Sequence, residues 1–306
     1  MNALFNLAAS LIHNEISRSQ TQLGALRIKG DDARKFLQGQ VSCDMTKLST
    51  ESSLYGAICS IKGRIITNFF AVQEDNGLLL IMSKDLVDTS LNHLKKYAVF
   101  FKVELVNASD DYCIQSEFND TLASDTPDAL PELLPTTFTD NQTIFTISKF
   151  PVLATIVLQP IENSAVLTTK NPEQNNVLSL LTARPLITEQ HSEEILPQWL
   201  NMQRTGGISF TKGCYTGQEI VARMQYRGKS KKQLALFSWE GTKEVSTSLL
   251  DKEGKNIGSV LQQAHCNALN IAQVMINVDP NDVDAFFLGD QEITLLPLPY
   301  LLESAK

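Results

Sequence analysis

The sequence predicts an α+β fold that ends in a small β-barrel or sandwich. Three observations predict it. Strand-like apolar runs separated by glycine turns dominate the early chain. Residues 85–97 interrupt them with helical spacing at Leu86, Val87, Leu91, Leu94 and Tyr97. After Gln233 the chain becomes a series of short strands with glycine turns, about seventy residues long, which is the pattern of a small closed β unit.

The elements follow in order. Residues 1–12 are mildly amphipathic, and Ala25-Leu26-Arg27-Ile28 reads as a strand. Asp31 or Asp32 can cap the next helix, which buries Phe36 and Leu37. Residues 54–58 and 65–72 form two strands joined by a turn at Lys62-Gly63, and residues 78–82 form a third. The apolar run 98–106 after the helix is strand-like. Residues 116–143 are rich in Asp, Thr, Pro and Asn, which marks a loop-rich stretch or subdomain boundary. Residues 144–158 give two more strands, 175–182 a short helix or apolar segment, and 186–205 an irregular polar stretch. Strands then fall at 234–239, 257–261, 271–276 and 293–296. The expected division is 1–228, as two interwoven subdomains, and 229–306.

A chain of 306 residues with 43% hydrophobic and 20% charged residues has the composition of a globular protein with sizeable cores. Its formal net charge of −8 excludes a general nucleic-acid coat, because nonspecific affinity comes from Lys and Arg neutralising phosphates. The five cysteines are scattered and odd in number, which excludes a disulfide framework and a zinc ribbon. No signal peptide and no apolar run of the ~20 residues that span a bilayer is read. A cytoplasmic location, with no membrane contact, is the expectation.

Chemistry concentrates in Gly206-Gly207-Ile208-Ser209-Phe210-Thr211-Lys212-Gly213-Cys214-Tyr215-Thr216-Gly217-Gln218-Glu219. The glycines permit positive φ or close approach to a ligand. Thr216 and Glu219 have the T-x-x-E spacing of a capping box, with a helix from near Gly217 through Ile220, Val221 and Met224 to Gly228. Cys214 then lies just ahead of a helix N-terminus, between Lys212 and the later Arg223 and Arg227, a setting that favours a thiolate. An inert buried thiol is the alternative, since free cysteines are commonly buried. The other four cysteines carry no chemical company.

Arg223, Arg227, Lys229, Lys231 and Lys232 follow with no acidic residue between Glu219 and Glu240. This patch suits a polyglutamate tail, an RNA backbone or an acidic partner, or it simply faces water. The four histidines are isolated, and nucleotide-phosphate and G-x-S-x-G motifs are absent.

Lys212-Gly213-Cys214-Tyr215-Thr216-Gly217-Gln218-Glu219 resembles the K-G-C-Y-x-G-Q-E signature of YgfZ-type folate-binding proteins. Ile28-Lys29-Gly30-Asp31-Asp32-Ala33, Phe36-Leu37-Gln38-Gly39-Gln40-Val41, Lys62-Gly63-Arg64, residues 94–100 and Pro297-Leu298-Pro299-Tyr300 extend the resemblance over nearly the whole chain. It implies a fold like that of the glycine-cleavage T-protein: interwoven α+β subdomains around a central folate channel, closed by a C-terminal β-barrel.

The resemblance also implies a folate-binding accessory factor for the synthesis or repair of iron–sulfur enzymes, including the tRNA methylthiotransferases. Cys214 is then the functional thiol, with Lys212, Tyr215, Gln218 and Glu219 shaping its loop. Gly213, Gly217, Arg223, Arg227, Trp199, Asn175, Arg184 and Leu23 (where some relatives have a tryptophan) are candidate contacts to tetrahydrofolate or a derivative. The expected partners are folate, the client enzymes and tRNA through the basic patch; the protein is expected to be a monomer with no stably bound metal.

Two departures bear on activity. The aminomethyltransferases of this superfamily carry acidic residues after the glycine turn, where this chain has Thr67 and Asn68. Many relatives have an E-A-G segment whose Glu holds the pteridine, where this chain reads Leu180-Leu181-Thr182-Ala183-Arg184-Pro185. Both count against a folate-dependent one-carbon transferase or demethylase, the principal rival reading. A module binding RNA or an acidic partner through residues 223–232 is the other.

Overall fold

The computed structural model describes residues 3–12, 17–119, 129–139, 142–163, 171–227, 232–241 and 245–302. Its regular elements are α1 (Ala3–Leu11), β1 (Ser17–Gln20), β2 (Leu23–Lys29), α2 (Ala33–Gln38), β3 (Ser52–Cys59), β4 (Ile65–Glu74), β5 (Gly77–Ser83) and α3 (Val87–Lys95). Then come β6 (Glu104–Asn107), β7 (Tyr112–Asn119), β8 (Leu133–Thr139), β9 (Gln142–Ser148), β10 (Leu153–Pro160), α4 (Pro172–Leu181) and α5 (Gln218–Arg227). The chain closes with β11 (Gln233–Glu240), β12 (Ser248–Leu250), β13 (Asn256–Cys266), β14 (Leu269–Ile276), β15 (Phe286–Leu288) and β16 (Gln291–Leu296).

Ten strands form one antiparallel sheet in the order β1-β7-β10-β9-β8-β3-β4-β5-β2-β6. Its middle strands read as continuous apolar runs because both faces are covered. Along β4, Ile65, Phe70 and Val72 enter one core, while Ile66, Phe69 and Ala71 enter the other. The second core is covered by α2, through Phe36 and Leu37, and by α3, through Val87, Leu91 and Leu94. Each such side chain stabilises the fold by roughly 1.5–3 kcal/mol. The first core receives α1, α4 and the irregular segment between Ile187 and Ile208.

The last six strands close a barrel in the order β11-β14-β13-β12-β15-β16 around Phe237, Trp239, Val274 and Phe286. Buried amides tie it to the sheet region: Gln273 Nε2 donates to Leu180 O at 2.8 Å, and Asn201 Nδ2 donates to Leu234 O at 3.1 Å. Among the described residues no helix is long and apolar enough to cross a membrane.

Several local expectations are corrected. Residues 98–106 are not one strand. Ala98–Phe100 is a 3-10 turn with Val99 and Phe100 exposed, and pairing begins at Glu104. Phe101 stacks on Phe36 with centroids 5.3 Å apart, and Asp32 accepts from Lys102 N at 2.9 Å, so the chain is held across the end of α2. Asp32 therefore sits at the N-cap position of α2 with its carboxylate engaged elsewhere.

The 116–143 stretch contains the end of β7 and all of β8. Its β-branched Thr136, Thr137 and Thr139 suit a strand. β8 joins the two halves of the sheet, pairing with β9 and, through Pro135 and Leu134, with Ser52 and Ser53 of β3. The 186–205 stretch is irregular as expected but largely buried, with Ile187, Ile195, Leu196, Leu200 and Met202 in the interior.

Candidate functional site

The signature loop is built around an inward-pointing lysine. α2 ends at Gln38, and the following turn leaves the carbonyls of Gln38, Val41 and Cys43 converging without amide partners. Lys212 Nζ donates to all three, at 2.8, 2.7 and 2.8 Å. An ammonium has three donors and no acceptor, so the match is complete. Burial pushes its pKa down to about 8. The same ammonium lies 5.2 Å from the ring centroid of Tyr215, which is itself buried and whose phenol is shifted upward by desolvation.

Lys212 and Tyr215 thus anchor the loop on either side of Gly213 and Cys214, which face solvent. Of the five cysteines, Cys214 is the exposed one. Cys43 and Cys59 are buried with thiols pushed up to about 12, while Cys113 and Cys266 are partly covered. The Lys212 ammonium is engaged by interior carbonyls, while Cys214 is exposed.

The start of α5 differs from the expected capping box. Thr216 donates its hydroxyl to Gln40 Oε1 at 3.3 Å, and its amide donates to Gly39 O. Glu219 is exposed and Gln218 half-buried. Gly217 occupies the cap position at φ +83°, where a Cβ would lie 2.5 Å from Ser60 O and 3.1 Å from Gly63 Cα. Gly63 in turn would drive a Cβ to within 2.8 Å of Ile220 Cβ. Glycine is therefore required on both sides where the 60–64 turn meets α5. Gly213 has no positive φ and open space beyond its Cα.

Arg223 is exposed on α5. Arg227 ends that helix, with its side chain outside the described residues, as are Gly228, Lys229 and Lys231. Trp199 is half-buried at the surface, with the Arg64 guanidinium 4.8 Å and the Lys232 ammonium 4.3 Å from its ring centroid. Leu23 is half-buried at the start of β2, and Asn175 is buried in α4.

A second polar cluster lies inside. Asn68 Nδ2 donates to Tyr55 OH at 2.9 Å and Pro185 O at 2.7 Å, while Asn68 Oδ1 accepts from Ile187 N at 2.8 Å. Asn68 is thus a fully engaged structural amide. Arg184, also buried, donates to Ile147 O at 2.5 Å, Pro131 O at 2.9 Å and Thr205 O at 2.7 Å. Desolvation pushes this guanidinium down to about 10.

No Asp or Glu is buried among the described residues, and Leu181 is fully enclosed. Arg184 Nε and Thr205 Oγ1 remain buried without partners. Together they offer a donor and a hydroxyl that both donates and accepts. That set fits a pteridine carbonyl and ring N–H through neutral oxygen in place of a carboxylate. Sequence reasoning named Arg184 but missed Tyr55 and Thr205. A buried Arg followed by Pro, with no acid nearby in sequence, was the available signal.

Comparison with known proteins agrees with this architecture. The fold is that of the glycine cleavage system aminomethyltransferase T from Bartonella henselae, at a TM-score of 0.67 and 13% identity over 97% of this chain and 89% of that one. The chain is 34% identical to tRNA-modifying protein YgfZ of Vibrio vulnificus (strain CMCP6), covering 98% of this chain and 94% of the relative. It is 32% identical to that of Klebsiella pneumoniae (strain 342), over 91% and 90%, and 31% identical to that of Colwellia psychrerythraea, over 92% of each. No family model matches. The chain belongs to the YgfZ family of tRNA-modifying proteins.

Two substitutions test the buried arrangement. Lys212→Met leaves three inward carbonyls without donors. At about 1–3 kcal/mol per unpaired buried group, less what water recovers, the expected loss is roughly 3 kcal/mol in urea unfolding. Because the folded lysine releases its proton near 8 and the unfolded one near 10.5, wild type should gain stability over this variant as pH rises between those values. Asn68→Asp sets a carboxylate against Pro185 O, and should cost at least about 2 kcal/mol at neutral pH. Its deficit should shrink toward pH 4, where the acid is protonated.

Proposed function

We propose that this chain is an accessory protein for iron–sulfur enzymes that modify tRNA, which binds a reduced folate and works through the Cys214 thiol. The carrying observation is that Cys214 is the exposed cysteine of the five, on a loop anchored by Lys212 and Tyr215 on either side of it. A thiol held this way meets a partner at low conformational cost, since its backbone is already ordered. The absence of a side chain at Gly213 leaves room for the partner to approach.

A single thiol cannot hold a cluster alone, because protein clusters usually take four thiolates. Cys214 therefore acts transiently, as one ligand or one exchanging thiol toward the client enzyme's cluster. Free cysteines suit a reducing cytoplasm. Arg184 Nε and Thr205 Oγ1 are the groups that would hold the pteridine, and the folate would supply one-carbon or redox chemistry there. The transferase alternative is disfavoured by Asn68, which has no free carboxylate to offer.

Cys214→Ala should melt at the wild-type temperature yet fail to restore methylthiolated tRNA nucleosides in a strain lacking the protein, as read by mass spectrometry. Normal methylthiolation would remove the thiol from the mechanism. For the ligand, anaerobic calorimetry with tetrahydrofolate should give micromolar saturable binding. Thr205→Val should leave stability equal or higher, because it deletes an unpaired buried hydroxyl. It should nevertheless weaken folate about tenfold, the equivalent of one hydrogen bond at ~1.4 kcal/mol. Unchanged affinity would place the folate elsewhere.

A further inference from the structure

We propose that the surface around Trp199 is a docking site for single-stranded RNA. Three segments build it. The 60–64 turn supplies Ile61, Lys62 and Arg64. The 3-10 turn Pro197–Leu200 supplies Trp199, and α5 with the start of β11 supplies Arg223, Tyr226 and Lys232. They are held together from beneath: Gly63 meets Ile220, Gln198 Nε2 donates to Val221 O at 2.7 Å, and Arg64 donates to Glu194 O.

The arrangement suits RNA in three respects. Arg64 and Lys232 both lie over the Trp199 ring, and Arg64 forms no ion pair with a described carboxylate. An arginine resting on an aromatic ring is weakly hydrated and already oriented, which favours phosphate contact and base stacking. Next, Ile61 is 77% and Tyr226 71% exposed, with Tyr226 edge-on to Phe210 at 6.0 Å. Unstacked bases supply the flat faces that cover such side chains, whereas a duplex does not.

The third respect is charge. The protein carries −8 overall, yet these segments present the described cations Lys62, Arg64, Arg223 and Lys232 against one acid, Glu219. Phosphate attraction is therefore local, and the remaining surface repels the strand and limits binding to this face. An acidic peptide would use the cations but would leave the exposed Tyr226 and Ile61 uncovered, so RNA is the occupant these observations favour.

The test uses the full chain and a fluorescein-labelled oligouridylate of about ten nucleotides, within the ~4–16 that one such surface covers. Anisotropy should show binding that weakens with salt. R64Q/K232Q should lower affinity at least about tenfold and flatten the log–log salt slope by about 1.4, at ~0.7 per single-strand phosphate contact. K62Q, at an exposed position, should give about half that slope change without touching the ring stack.

Trp239 lies inside the barrel, so in a W239F background Trp199 alone reports, and oligouridylate should quench it. The folate affinity of R64Q/K232Q should stay at the wild-type value, which separates this proposal from the folate reading. Equal oligouridylate binding by wild type and R64Q/K232Q would overturn the site. So would an unquenched Trp199, or tighter binding of a polyglutamate peptide than of RNA at the same ionic strength.

Discussion

Lys212 carries its ammonium into the interior and gives its three protons to the carbonyls of Gln38, Val41 and Cys43. The geometry of the signature loop follows from that. Desolvating an ammonium is costly; the Asp44 carboxylate offsets part of that by its charge, and the direct contacts are to carbonyl dipoles in a low-dielectric setting. Such a contact is directional, because every donor must find its acceptor. It therefore fixes the loop more tightly than an ion pair on the surface would. Gly213 and Cys214 are left outside as the only part of Lys212–Tyr215 without an interior role.

Arg184 repeats the principle on the other side of the interior. It gathers Ile147, Pro131 and Thr205 by their carbonyls, again without an acid. Asn68 joins Tyr55, Pro185 and Ile187 through neutral hydrogen bonds. The interior of the described residues is held by amides and carbonyls, with no buried acid. Chemistry that needs a buried carboxylate as base has no obvious residue to use, whereas binding that needs donors and hydroxyls does. This supports the proposed binding and thiol role over transfer catalysis.

Much of the fold was legible in sequence because periodicity reports burial. The strands at 54–58, 65–72 and 78–82, the helix at 85–97 and four of the six barrel strands fall where apolar spacing placed them; β12 and β15, three residues each, are too short to show it. What failed depended on long-range partners. Val99 and Phe100 look like strand residues, but nothing in their spacing reveals that Phe101 is drawn onto Phe36 and leaves them outside. Thr216 and Glu219 have capping spacing, yet Gly217 takes the cap because the 60–64 turn presses on it from a distant part of the chain. Lys212 looked like a neighbour of Cys214, since separation by two residues in a loop says nothing about direction. The carbonyls that capture the ammonium follow α2, a segment far earlier in the chain.

The paired glycines Gly63 and Gly217 connect these observations. Neither position accepts a Cβ, because Gly217 lies against the Ser60 carbonyl and Gly63 against the Ile220 side chain. Packing this close leaves little room for the two segments to shift relative to one another. The same turn that abuts the cap of the Cys214 loop also presents Arg64 to Trp199. The thiol loop and the cationic aromatic surface are consequently two outward faces of one stiff junction, each oriented by the buried side of the other. A partner engaging the aromatic surface would meet Cys214 at a distance the fold sets in advance, with little further ordering of the protein required.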